Sequence, residues 1–452
     1  MTIELWTGAE YTINRVGDCY IDQSVRSGHY GRLSDIDRMV DLGVKRVRFP
    51  VLLERIAPDG LHKADFAWHD QCLERLRKAG VEPVLGLLHH GSGPRHATLQ
   101  TAAFERELVQ FAAMVARRYP WARMYTPVNE PLTTARFCGL YGHWYPHARD
   151  TATFLRILMN EVQGTAAAMR AIRAVRPDAQ LVQTEDCGRT YGTPQVAAQC
   201  RYENDRRWLT YDLLTGRVDR RHPLRRHLEE HGVRARELDA LVGAPCPPDI
   251  LGVNYYVTSE RFLDHRVERY PERFRGGNAF MAYADVEAVR VRRDGIGGFA
   301  RALSEVWERY GIPIALTEVH LGCTRDEQLR WVGEAWTDAL EAQAEGIDIR
   351  GFTLWSAFGS HDWSSLVTVD RGDYEPGLYD LRNGEVRPTA LAFLARELSR
   401  GEPLDRDHHA LSLPGWWRRP DRLTYPPCSD YDSSSFMDAA VSRYAASAAR
   451  GS

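Results

Sequence analysis

Eight short apolar runs alternate with longer amphipathic stretches, and a polar or aromatic residue stands where each run stops. No G-x-G-x-x-G follows the first run. These three observations predict an α/β fold, a (β/α)8 TIM barrel, as a single domain over residues 1–400 with a C-terminal extension or tail over 401–452. Alternating strands and helices imply a parallel sheet. The missing glycine fingerprint favours closing that sheet over an open doubly wound one.

Taken in order, the first strand, 4–8, is followed by Glu10, and a helix over 33–42 leads to the second strand, 46–51, which carries Arg48. A helix over 66–78 precedes the third strand, 82–88, which ends in His89-His90. A helix over 103–118 precedes the fourth, 124–128, which stops at Asn129-Glu130-Pro131. The long helix 154–175 leads to the fifth, 180–184, which runs into Glu185-Asp186. An Arg- and His-rich stretch, about 204–246, is expected as a helical insertion packed outside the barrel. The sixth strand, 250–255, carries Asn254 and meets Tyr256. Residues 258–293, with Tyr270-Pro271 and Gly276-Gly277, predict a long loop over the barrel mouth. Helices 296–309 and 326–344 flank the seventh strand, 313–317, which ends at Glu318; the eighth, 351–355, closes on Trp355. Beyond Gly401 the alternation fades through Pro414-Gly415-Trp416-Trp417, and the Ser/Ala-rich 433–452 is expected as a weakly held tail.

The composition excludes several classes of function. Hydrophobic residues make up 44% of the 452 and charged residues 26%, enough for a large core in a soluble chain. A net charge of −3 implies no basic face for nucleic acid. No apolar run reaches about 18 residues, so no membrane span is expected. The eight cysteines are scattered, without a C-x-x-C pair, as in reduced proteins. Met1-Thr2-Ile3-Glu4-Leu5-Trp6 runs directly into strand-like sequence without a basic or apolar leader. A cytoplasmic location is expected; the oligomeric state is left open.

In an eight-fold barrel the chemistry gathers at the C-terminal strand ends. Two of those ends, Tyr125–Glu130 and Ala315–Glu318, deliver a glutamate each after an apolar run. Two carboxyl groups converging about 5–5.5 Å apart are what a retaining glycosidase requires. Glu318 is the expected nucleophile, with Arg48 and Tyr256 placed to hold it; Glu130 is the expected acid/base, and Asn129 is expected at the sugar 2-hydroxyl. His89 is expected to contact sugar, and Trp355 and Trp363 to stack on its ring. His89, His90, His320 and His361 lack any metal-ligand spacing, so no metal or cofactor is expected.

These motifs resemble family 1 glycoside hydrolases, within the clan of barrels carrying catalytic glutamates on strands four and seven. Asn129-Glu130-Pro131 matches the family's acid/base motif and Leu316-Thr317-Glu318 its nucleophile motif. Ile250–Tyr256 matches the sixth-strand signature, including Asn254, and His89 aligns with a sugar-binding histidine. His361-Asp362-Trp363 falls where a Phe-Glu-Trp closes around the glycone, so the resemblance implies sugar contacts from Asp362 and Trp363. The family's first-strand glutamine is replaced, with Glu10 and Asn14 as candidates to stand in; Val319-His320 replaces the usual Asn-Gly. The resemblance covers about residues 1–400 and implies a divergent bacterial branch.

The expectation is therefore a retaining, exo-acting, β-glucosidase-like hydrolase of a small glycoside. Two rivals stand beside it. One is a transglycosidase that uses a sugar or alcohol acceptor. The other is a non-catalytic sugar-binding barrel, motivated by the altered glycone residues.

Overall fold

The computed structural model describes residues 2–405 and 407–429. The expected 433–452 tail lies outside them. Eight parallel strands close into a barrel in chain order: β1 (Glu4–Gly8), β2 (Arg46–Pro50), β3 (Glu82–Gly86), β4 (Met124–Thr126), β5 (Gln180–Asp186), β6 (Ile250–Asn254), β7 (Ile314–Val319) and β8 (Ile349–Leu354). Between and after them run α1 (Ser34–Val40), α2 (Ala67–Lys78), α3 (Ala102–Arg118), α4 (Thr151–Val175), α5 (Leu209–Leu214), α6 (Gly298–Tyr310), α7 (Arg325–Ala344) and α8 (Ala390–Ser399).

The two-residue period of a strand sorts these sequences into inside and outside. Trp6, Val84, Met124, Val182, Ile250 and Ala315 form one apolar cluster inside the barrel. Their neighbours Leu5, Leu85, Tyr125, Leu181, Leu251 and Leu316 belong to the large core under the helices. Counting onward by two from Ile250 brings Asn254 to the upper interior; Arg48, level with Val84, and Trp355, two beyond the Thr353 that is level with Trp6, share that face. Gly252 is inward too, and a Cβ there would stand 2.7 Å from Thr184 Cγ2 and 2.8 Å from Thr317 Oγ1. Only glycine leaves room for both threonines.

Capping explains the helix limits. The Asp150 carboxylate accepts from Thr153 N at 2.8 Å, which starts α4 at Thr151, three residues before the expected 154. Gly311, in the left-handed region at φ +61°, ends α6. The outer helical insertion comprises Ala197–Arg206, α5, Arg225–Glu230 and Ala235–Gly243, so it starts earlier than 204. The 258–293 stretch departs from the expected loop. Arg261–Asp264, Arg275–Gly277 and Ala282–Glu287 form a four-stranded sheet with Thr190–Gly192. Short strands broken by Pro and Gly-Gly carry too little periodicity to be read from sequence. No described helix is long and apolar enough to cross a membrane.

Candidate active site

A cavity of about 400 Å³ opens at the C-terminal ends of the strands. Glu10, Glu130, Tyr256, Glu318, Trp355 and Trp363 line it. Arg48, His89 and Asn129 line a smaller recess that shares Trp355 with it. Asn254 is fully buried, with its amide reaching up to Glu130.

Glu130 follows β4 with φ +46°, a left-handed conformation that costs a non-glycine residue about 1–3 kcal/mol. Pro131 next to it disfavours the ordinary right-handed alternative and opens the short helix Pro131–Ala135. The resulting turn leaves the carboxyl facing the cavity, where the Asn254 Nδ2 donates to its Oε1. Asn254 Oδ1 in turn accepts from Thr317 Oγ1 at 2.6 Å, so one buried amide ties Glu130 to the residue before Glu318.

Glu318 stands at a register shift of β7 against both β6 and β8. Such a bulge re-aims a side chain at a barrel rim. Arg48 Nη1 donates to Glu318 Oε1 at 2.8 Å and to the Thr317 carbonyl at 2.7 Å. The Tyr256 hydroxyl donates to the other carboxylate oxygen. Arg48 Nη2 donates to Asn129 Oδ1 at 2.6 Å, and Thr184 Oγ1 donates to the same oxygen at 2.8 Å. With its oxygen doubly engaged, Asn129 presents its NH2 toward His90 Nε2 (3.3 Å) and His89 Nε2 (3.5 Å).

The protonation states follow from burial and charge. Burial raises the Glu130 pKa well above its usual range, and the Glu318 charge raises it next. Glu10, a third carboxyl, is raised to about 7 by burial and then by Glu318. Its Oε1 accepts from Thr12 N at 2.9 Å and its Oε2 from Trp355 Nε1 at 3.2 Å. Burial keeps both His89 and His90 neutral, with the neighbouring Arg48 adding to the effect. The His89 ring stacks on Trp355, centroids 5.6 Å apart, and Trp363 Nε1 is buried with no protein partner among the described residues.

Two expected sugar ligands behave differently. Asp362 is absent from the cavity wall. It pairs with Arg26 and accepts from Arg371 N (3.2 Å), Gly372 N (3.3 Å) and Asp373 N (2.9 Å), so it ties down its own loop. Asn14 spends its NH2 on the Val367 carbonyl at 2.9 Å, which leaves Glu10 as the first-strand group at the cavity. Among the described residues no three His, Cys, Asp or Glu side chains are placed to hold a metal ion. Sequence reasoning missed Thr184 and Thr317, which orient the two asparagines, and Arg290 and Trp416, which stand in the cavity wall. The Trp416-Trp417 pair was visible, but nothing local said what it would face.

The model of glycosyl hydrolase family 1 matches residues 11–369. The chain is 25% identical over 405 residues to beta-glucosidase 4 of Oryza sativa subsp. japonica, covering 77% of this chain and 81% of that one. It is 22% identical over 419 residues to a 6-phospho-beta-glucosidase of Dickeya chrysanthemi, covering 82% and 86%. In fold it resembles a beta-glucosidase from Thermotoga maritima solved in complex with deoxynojirimycin, with a TM-score of 0.70 at 16% identity over 89% of this chain and 98% of that one. Taken with the matched family model, these likenesses mean that the chain belongs to glycosyl hydrolase family 1, as a beta-glucosidase-like glycoside hydrolase acting on O-glycosyl compounds.

Proposed function

We propose that the chain is a retaining, exo-acting β-glycosidase that takes a small glycoside, with Glu318 as nucleophile and Glu130 as acid/base. One observation carries the reading: two glutamates from distant strands line a single cavity in opposite chemical settings. Glu318 is gripped by a guanidinium and a phenol. Glu130 is buried against an amide, with its pKa raised. A buried carboxyl that keeps its proton and one held by donors on both oxygens are suited to different roles, acid/base and nucleophile.

In the first step Glu318 attacks the anomeric carbon while Glu130 gives its proton to the departing oxygen. The covalent ester removes the Glu318 charge, the second-largest influence raising Glu130. Glu130 then falls toward the ordinary carboxylate range and can take a proton from water. Asn129, oriented by Arg48 and Thr184, donates to the 2-hydroxyl, a contact that strengthens in the transition state. Trp355, Trp363 and His89 shape the glycone end, with Glu10 in the place of the family's first-strand glutamine. No step calls for a cofactor.

A panel of aryl β-glycosides (glucoside, galactoside, fucoside and xyloside) tests the reading and finds the glycone. On the best substrate Glu318→Gln should lower kcat by about 10³-fold or more. Glu318→Gly should regain turnover with azide and release the α-glycosyl azide. Proton NMR of the wild-type reaction should show the β-anomer forming first. Initial release of the α-anomer, or full activity in Glu318→Gln, would sink the proposal. A 2-deoxy-2-fluoro β-glycoside should leave one sugar on Glu318; reversible binding without trapping would favour a non-catalytic barrel instead. Product analysis with added alcohol separates hydrolysis from transfer.

A further inference from the structure

Residues beyond the family-matched 11–369 reach the active site. Trp416, from the C-terminal extension, stands in the wall of the same cavity as Glu130 and Glu318, together with Glu287 and Arg290 of the excursion over the mouth. The extension is built to hold it there. Trp416 N donates to the buried carboxylate of Glu327 on α7 at 2.9 Å, and Arg419 Nη2 donates to the other Glu327 oxygen at 2.9 Å. Trp417 is fully buried, 4.8 Å from the Trp331 ring centroid, with its Nε1 donating to Glu334 at 2.9 Å.

The other side of the strap is pinned to the segment that carries Arg290. Arg422 Nη1 donates to the carbonyls of Val289 (2.9 Å) and Arg292 (2.8 Å), and its Nη2 to that of Arg293 (2.6 Å). Thr424 N donates to the Arg290 carbonyl at 3.1 Å. Between these anchors the Arg290 guanidinium lies 4.0 Å from the Trp416 ring centroid, and Glu287 stands 3.6 Å from Arg290. Trp416 itself is only half-buried. Trp416 thus lies between the fully buried Trp417 and the Arg422 and Thr424 anchors, which fix its half-buried indole in the cavity wall.

We propose that the C-terminal extension completes the active site, with Trp416 and Arg290 forming the platform on which a flat-faced leaving group, an aromatic or pyranose ring, stacks. The inference rests on the β-glycosidase reading above. In that reading the anomeric carbon lies between Glu130 and Glu318, and the strand-end residues hold the glycone. What projects outward past them is the leaving group, and the mouth elements are what it meets. Indole and guanidinium planes both stack on flat faces, and Glu287 offers an acceptor to a ring hydroxyl.

The experiment compares wild type, Trp416→Ala and Trp416→Phe on β-glucosyl fluoride, 4-nitrophenyl β-glucoside and cellobiose, with far-UV circular dichroism and Tm as the folding control. The fluoride leaving group has no ring to stack. Trp416→Ala should lose about tenfold more kcat/KM on a ring-bearing substrate than on the fluoride, chiefly through KM, and Trp416→Phe should recover most of it. Loss on the nitrophenyl glucoside alone assigns an aromatic partner, and loss on cellobiose a sugar. A second measurement needs no turnover: calorimetric affinities for 4-nitrophenyl and methyl 1-thio-β-glucosides, whose ratio should collapse toward one in Trp416→Ala. Equal losses on all substrates, or an unchanged affinity ratio in an active enzyme, overturn this inference alone. Trp416-dependent binding without any hydrolysis would sink the catalytic reading and leave the platform standing. A wild type that binds neither thioglycoside of any glycone in the aryl β-glycoside panel overturns both.

Discussion

Glu130 concentrates the physics of the site in one side chain. Its left-handed backbone aims the carboxyl at the cavity, and burial with the facing Glu318 charge keeps the proton on it. Removing that charge without removing bulk isolates the electrostatic part. In Glu318→Gln the Glu130 carboxyl, followed by carbon-13 NMR, should titrate about one unit or more lower than in wild type. Burial is the larger cause and persists in the variant, so the group should still titrate above the ordinary glutamate range. An unmoved titration would mean that the two carboxyls do not sense each other. The same cause predicts that the alkaline limb of kcat/KM lies above the usual carboxylate range, since activity needs Glu130 protonated.

At the scale of elements, the segment after β4 is held from outside the barrel. Glu185 points away from the cavity on β5, and its carboxylate accepts from Leu132 N (2.9 Å), Thr133 N (3.3 Å), Thr133 Oγ1 (3.0 Å) and Thr210 Oγ1 (2.7 Å). It thereby caps the short helix that begins beside Glu130. Its charge also contributes to raising Glu130. Glu185→Ala should cost about 10–100-fold in kcat by loosening the acid/base. Glu185→Gln keeps an acceptor for the amides, so it should cost less and yet lower the alkaline limb of kcat/KM. Loss of activity with an unmoved limb would reduce Glu185 to scaffold. Little of this was legible in the sequence, where Glu185-Asp186 reads equally as a structural ion pair. The strands themselves were legible: β1 falls on the expected residues, and β2 through β6 begin where their apolar runs begin. Their ends differ for a local reason. β4 stops at Thr126 because Pro127 has no N–H for the ladder, although the apolar run continues to Val128. What no local pattern carries is pairing across long separations. Arg26 claims Asp362 from 336 residues away, and Trp416 reaches a cavity whose other walls precede it by up to about 400 positions.

The molecule as a whole bears a cost for burying so many carboxyls near one centre. Burial raises Glu10 and Glu185 to about 7, and Glu130 and Glu161 well above the usual range. A carboxyl raised in the folded state binds its proton more tightly there than in the unfolded chain, where the reference is 4.5. Stability from such a group is therefore fully present below about 4.5 and declines as pH rises toward about 7. For Glu10 the difference, 7 − 4.5 = 2.5 units, corresponds to about 3 kcal/mol. Buried histidines act in the opposite sense. His69 and His90, lowered to about 3 chiefly by burial, cost stability as pH falls from about 6.5 toward 3. The two trends overlap, so the wild-type profile alone cannot isolate either. A difference between variants can. Glu10→Gln removes one titrating carboxyl and keeps one acceptor for the Thr12 amide or the Trp355 indole, so its constant penalty is about 1 kcal/mol. Urea unfolding of both proteins from pH 4.5 to 8.5 should show the variant gaining on wild type by up to about 3 kcal/mol as pH rises through 7, then running parallel above about 8. Parallel curves throughout would mean that Glu10 is already ionised where it sits. The third carboxyl would then add a full negative charge beside Glu318, and a glycone with a cationic group would become the better fit.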